Sequence, residues 1–342
     1  MRKIFLILSV AVCFALSGCG EDSSQKASVQ LLFPNPNFGG IWGYIGETCA
    51  NLMREAGYNV ELRFCKDAAE QVEQLKDAVS KHPAAIVIAA QDTGNLAEPL
   101  KLAKEEGIPV IAYDRVIMHT DAISYYASFE NNSVGEFQAR YIEEKLNLKS
   151  GAGPFTIEFV AGSPTDSNAP LFIGGAYQYL KPYIEKGQLV VPSGQTDFSA
   201  IATDNWSLDN AQRRMTEILQ KYYADGKSLN VVIASNDDLA QGVIQAEESV
   251  GYKGAPTLIT GQDAGANGVA NIKSGKQVMT IYKDPAILCA KIVRMVKAVV
   301  EGSQPAINDV TNIKNDVMTI PAYLCIPLIV DKENIGIVKE AK

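Results

Sequence analysis

Histidine and tryptophan are scarce, with two of each in 342 residues. His82 precedes Pro83 at a helix end and His119 lies in a polar loop, so neither stands in a metal-ligand spacing and no metal or cofactor is expected. Basic residues are outnumbered, 31 against 39 acidic ones, and removing Arg2 and Lys3 with a cleaved leader takes the net charge from −8 to −10. That balance is a poor match to nucleic acid, whose phosphates demand a basic surface. No short-period repeat or low-complexity tract is present, which excludes a solenoid. The glycine-rich run Gly261 to Gly268 lacks the Lys-Ser/Thr of a phosphate-binding loop and the spacing of a dinucleotide fingerprint, and reads as a hinge and helix start. Asp237 and Asp238 are adjacent and point apart, whereas glycosidase acids must flank one bond, so an enzyme is not expected.

What is there begins with Arg2-Lys3, an apolar stretch from Ile4 to Leu16, and then Ser17-Gly18-Cys19. The stretch falls short of the roughly 20 apolar residues of a membrane span and reads as a secretory signal over residues 1–18. Its ending resembles the lipobox of bacterial lipoproteins, which implies cleavage before Cys19 and its acylation; two acyl chains suffice for stable anchoring. Residues 19–28 are polar and fit a tether. The expected location is extracytoplasmic, with the membrane reached through the lipid alone. Four further cysteines, Cys49, Cys65, Cys289 and Cys325, allow three pairings, but each sits in an apolar context and free core thiols are favoured.

About 320 residues remain after Cys19, more than one core usually absorbs, so two domains are expected. Hydrophobic residues at 47% and charged residues at 20% fit a soluble globule. Short β-rich runs alternate with stretches of helical length, the signature of a parallel sheet. Val29–Phe33, Asn59–Phe64, Ala85–Ala89 and Pro109–Tyr113 read as strands, with helices over Trp42–Ala56, from Ala68, and over Leu96–Glu106. The rhythm resumes with strands near Phe155–Val160, Gln188–Val191, Leu229–Ala234, Thr257–Thr260 and Val278–Tyr282. Apolar pieces at Val317–Ile320 and Leu324–Val330 close the chain.

Ligands of open parallel sheets bind beyond the carboxyl ends of the strands. Those positions are polar here: Asp114-Arg115, Gly162 to Asn168, Ser235-Asn236-Asp237-Asp238, Gly261-Gln262-Asp263 and Lys283-Asp284. A pyranose asks for such an inventory, because each hydroxyl donates and accepts while the axial C–H faces suit an indole such as Trp42 or Trp206. Each acidic residue has a plainer reading as an N-cap of the next helix, which fits Asp237 or Asp263 equally well.

The ordered series Tyr113-Asp114-Arg115, Gly162-Ser163-Pro164 with Asp166 and Asn168-Ala169, Ser235-Asn236-Asp237, Gly261-Gln262-Asp263-Ala264 and Tyr282-Lys283 resembles type I periplasmic sugar-binding proteins. It is most similar to the subgroup that binds xylose or glucose, galactose and arabinose. The resemblance implies an α/β fold of two doubly wound parallel-sheet lobes joined by a three-strand hinge, with sugar in the cleft. It implies a first lobe of residues 29–128 with 265–310 and a second of 129–264 with 311–342, crossings lying near Tyr126–Asn131, Asp263–Ala266 and between Gly302 and Ile320. Asp114, Arg115, Asn168, Asp237, Asp263 and Lys283 would grip hydroxyls, Trp42 would stack on the ring, and Trp206 would stand nearby. The subgroup has Arg before the first tryptophan where this chain has Ile41; Asn35 or Asn37 would donate instead. The partners implied are a monosaccharide and the permease of an ABC importer, the protein acting as a monomer. The alternatives are a nucleoside or other polyol as ligand, and a chemoreceptor or sensor kinase as partner.

Overall fold

Five of the six residues of the first strand, Ser28–Phe33, are buried, and this strand organises the first lobe. The computed structural model describes residues 26–36 and 41–338. Strands β1 (Ser28–Phe33), β2 (Asn59–Phe64), β3 (Ala85–Ile88), β4 (Val110–Tyr113) and β5 (Tyr125–Phe129) alternate with helices α1 (Trp42–Glu55), α2 (Ala68–Ser80) and α3 (Ala97–Glu105). The sheet order is β2-β1-β3-β4-β5, and every neighbouring pair is parallel. Helices on both faces explain why β3 and β4 are buried at every residue.

The second lobe repeats the plan. Helix α4 (Asn131–Lys145) leads to strand β6 (Phe155–Val160), then α5 (Ala169–Glu185), β7 (Leu189–Val190), the single-turn α6 (Phe198–Ile201), α7 (Leu208–Tyr222), β8 (Val231–Ala234), α8 (Asp237–Ser249) and β9 (Leu258–Ile259). The order β7-β6-β8-β9 again reverses beside its first strand. A reversal of that kind opens a crevice at the carboxyl ends of the strands. Helix α4 was missed by sequence reading because its buried face carries Asn131, Gln138 and Glu143 among its apolar residues, which blurs the helical period.

Two boundaries differ from the sequence expectation. The expected first lobe of residues 29–128 with 265–310 includes helix α9 (Ala266–Ser274) and strand β10 (Met279–Tyr282). They pack in the second: Val278 donates to the Ile259 carbonyl at 2.9 Å, and Met279 and Ile281 share a core with Val232 and Val243. The chain returns to the first lobe only at Lys283-Asp284, ahead of α10 (Pro285–Val300), which packs on α1. Asp284 caps α10 by accepting from the Ala286 N–H at 2.9 Å, with Pro285 opening the first turn. Likewise residues 311–325 belong to the first lobe and not the second. Ile320 and Ala322 join the core around Leu32 and Ile86, and β11 (Ala322–Cys325) pairs parallel with β5. From Leu328 on the chain lies in the second lobe: β12 (Leu328–Asp331) runs antiparallel to β10, and Ile335 and Val338 pack on Ala264 and Val330. The single apolar piece Leu324–Val330 is thus two strands in two sheets, split where exposed Ile326 and buried Pro327 cross.

The expectation of free thiols is corrected for one pair. Cys49 on α1 and Cys289 on α10 form a disulfide, their Cα atoms 4.9 Å apart, while Cys65 and Cys325 are free and buried. The pairing was hidden because 240 residues separate the partners and α10 follows an excursion through the whole second lobe. No described helix is long and apolar enough to cross a membrane.

Candidate functional site

The turn after β4 carries the first pair of polar groups. Asp114 adopts a left-handed backbone conformation with φ 62°, one that Asp tolerates better than most side chains. The bend is held by the Asp114 N–H donating to the Ala127 carbonyl at 2.8 Å and by the Tyr126 hydroxyl donating to the Asp114 carbonyl at 2.6 Å. Its carboxylate accepts from the Ser128 hydroxyl at 3.2 Å. Next to it, Arg115 Nη1 donates to the carbonyls of Ala90 at 2.8 Å and Gln91 at 3.2 Å. Its guanidinium carbon lies 5.3 Å from the centroid of the Trp42 ring, a cation–π contact.

The second lobe answers from the β6 to α5 loop. Asp166 Oδ2 accepts from Arg115 Nη2 at 3.0 Å and from Trp206 Nε1 at 3.2 Å, so one carboxylate oxygen ties both lobes and a tryptophan together. Asn168 donates to the Asp114 carbonyl at 2.8 Å and accepts from Asn131 Nδ2 at 2.8 Å. Trp206 packs on Gly162 so closely that a Cβ there would lie 2.1 Å from the indole; this glycine is required by contact and not by backbone conformation.

The third contribution comes from the crossing. Lys283 Nζ stands 3.3 Å from Asp263 Oδ1 and 4.0 Å from Asp114 Oδ1. Burial acts to lower the Lys283 pKa, but Asp263 and Asp114 outweigh it and leave the ammonium more firmly protonated than a free lysine. Burial raises the pKa of Asp263; Lys283 opposes this and the Asp114 charge adds to it. These groups line one cleft between the lobes. Trp42, Asp114, Arg115, Asn168, Trp206, Asp263 and Lys283, all singled out from the sequence, line this one cleft.

Two sequence candidates lie elsewhere. Asp237 turns away from the cleft and accepts from Gln277 Nε2 at 2.7 Å, Thr280 Oγ1 at 2.8 Å and the Gly265 N–H at 2.9 Å. A Cβ at Gly261 or Gly268 would meet its carboxylate at 2.2 or 2.1 Å. Burial pushes the Asp237 pKa up to about 8, against the pull of Gln277 and with help from the Asp263 charge. Its neighbour Asn236, the N-cap of α8, lines the cleft instead. Asn35 borders a separate polar hollow with Lys66, Gln91, Thr165 and Asn205, its amide donating to the Lys66 carbonyl at 3.2 Å. Asn37 and Cys19 lie outside the described residues.

Sequence reasoning omitted Asp166, Phe172, Asn236 and Gln262 from the ligand set, although all four line the cleft. Gln262 sits in the Gly261-Gln262-Asp263 motif, and its Oε1 is buried with no hydrogen-bond partner among the described residues. A ligand donor would satisfy it. Among the described residues no cluster of three His, Cys, Asp or Glu side chains could hold a metal ion.

Comparison with known proteins agrees with this architecture. Residues 31–304 match the family model described as the periplasmic binding protein domain. The chain is 37% identical to the multiple sugar-binding periplasmic receptor ChvE of Rhizobium radiobacter, over 97% of this chain and 94% of that protein. It is 34% identical to the D-xylose-binding periplasmic protein of Escherichia coli, over 78% of this chain and 74% of that protein. Among solved structures, an ABC transporter solute-binding protein from Clostridium phytofermentans with bound β-D-glucose superposes with a TM-score of 0.86 at 42% identity. The match covers 90% of this chain and 94% of that one. The match across most of the chain, together with two parallel-sheet lobes that share one polar cleft, makes this protein a member of the periplasmic binding protein domain family.

Proposed function

We propose that this protein binds a monosaccharide, an aldopentose or aldohexose, between its lobes and delivers it to an ABC importer, without catalysing a reaction. The observation that carries the reading is the division of the cleft. Asp114 and Arg115 come from the first lobe, Asp166, Asn168, Asn236 and Asp263 from the second, and Lys283 from the link between them, with Trp42 and Trp206 on the walls. Carboxylates and amides in that number suit a ring of hydroxyls, and indoles suit its C–H faces. The sugars named for the relatives at 34–42% identity support the same ligand class.

Delivery follows from linkage. A ligand held by both lobes favours the closed form by its differential affinity, and a membrane partner that reads the closed form receives only loaded protein. The Cys49–Cys289 bond supports an oxidising, extracytoplasmic location. The sequence up to Cys19 supports a lipid anchor that holds a monomer at the membrane. A thermal-shift screen across pentoses, hexoses, polyols and nucleosides, followed by calorimetry on the best ligand, tests the reading. One or a few aldoses are expected to raise the melting temperature; a response to nucleosides with none to aldoses would overturn it.

A further inference from the structure

The Cys49–Cys289 bond joins α1 and α10, two of the segments that build the first-lobe wall of the cleft. Helix α1 starts at Trp42, and Trp42, Ile45 and Cys49 follow at spacings of three and four on one face of the helix. Helix α10 starts two residues after Lys283, with Leu288 and Cys289 in its second turn. Trp42, Ile45, Leu288 and Lys283 all line the cleft. Cys289 Sγ lies 3.9 Å from the Ile45 carbonyl and 4.0 Å from the hydroxyl of Tyr113, whose neighbour in sequence is Asp114.

We propose that Cys49 and Cys289 are positioning residues for the sugar site. Their bond fixes the spacing between Trp42, which faces the sugar ring, and Lys283, which stands on the inter-lobe link. The inference rests on the monosaccharide reading of the cleft. The remaining contacts between α1 and α10 are apolar, through side chains such as Met53, Ile292 and Met295, and apolar contact is non-directional. It holds the helices together and leaves a small slide or rotation open. The disulfide removes that freedom within about 10 Å of Trp42, the rise of seven helical residues. Both cysteines are fully buried, so the bond is a permanent brace and not a switch open to ordinary reductants.

The test compares affinity with stability. β-D-Glucose and D-xylose are titrated calorimetrically at 25 °C into wild type, Cys49→Ala/Cys289→Ala and, as a control, Met295→Ala. Met295 belongs to the same helix contact but does not line the cleft. Both variants are expected to melt at lower temperature. Only the double cysteine variant is expected to bind at least fivefold more weakly, with faster dissociation. If it does not fold, Cys49→Ala/Cys289→Val, which refills the volume of one sulfur, gives the same comparison. Wild-type affinity in a folded variant without the bond overturns the brace and leaves the sugar site standing. Failure of wild type to bind these two sugars or any other aldose in the thermal-shift screen removes the site and the brace with it.

Discussion

Asn168 donates to the backbone carbonyl of Asp114 at 2.8 Å although the two residues belong to different lobes. The main-chain acceptor keeps this inter-lobe contact when the Asp114 side chain is substituted, although the same amide also reaches Asp114 Oδ2 at 3.4 Å. The Asp114 carboxylate stands near Lys283 and lines the cleft, so it can be changed with the shorter inter-lobe bond intact. Asp114→Asn keeps a side chain that tolerates the left-handed backbone and removes the charge. A charged hydrogen bond to sugar is worth roughly 2 kcal/mol, so affinity should fall roughly 30-fold. Calorimetry reads this, and unchanged affinity would mean that Asp114 does not hold the ligand.

The Arg115–Asp166 pair makes a different prediction. Both side chains are 4% exposed and the pair spans the lobes. Breaking a buried pair costs about 3–5 kcal/mol when the surviving charge stays buried. Here opening the cleft would rehydrate Arg115, so the cost of losing this pair falls on closure. Asp166→Ala should weaken sugar binding by about two orders of magnitude, and the sugar-free protein should lose only the smaller share that the Asn168 N–H and Trp206 Nε1 bonds to Asp166 contribute inside the second lobe. A large loss of stability without sugar would contradict that division.

Asp237 predicts how stability depends on pH. Its folded pKa of about 8 stands above the ordinary 3.8 because burial dominates. Between those values the folded state holds a proton that the unfolded state has lost. This group's contribution therefore favours folding at low pH and declines as pH rises through about 8. Asp237→Asn removes the titration, and the melting temperature of that variant should fall less between pH 5 and 9 than that of wild type. Asp237→Ala should cost roughly 1–3 kcal/mol by leaving buried donors on Gln277, Thr280 and Gly265 without their acceptor. Parallel slopes for wild type and Asp237→Asn would show that the carboxyl does not titrate in this range.

Local pattern carried the strands and the strand-end chemistry. The continuous apolar runs of β3 and β4 and the polar turns behind β4, β6 and β10 are visible because burial and exposure alternate over only a few residues. What depends on three-dimensional return of the chain was not legible. The assignment of α9 and β10 to the second lobe, the split of β11 from β12 and the meeting of Cys49 with Cys289 all follow from long-range packing. Asn236 and Asp237 show the limit at the site itself. Both types suit a cap and a sugar equally, and only the extended backbone of Asn236 against the helical start at Asp237 decides which one faces the cleft.

Small-angle scattering tests the central claim most directly, because the cleft is proposed to close on a guest that both lobes hold. The radius of gyration of the sugar-free protein should decrease when a calorimetrically verified monosaccharide saturates the site. The Asp166→Ala variant should show a smaller decrease at the same sugar concentration. Identical scattering with the wild-type site empty and full would contradict the account.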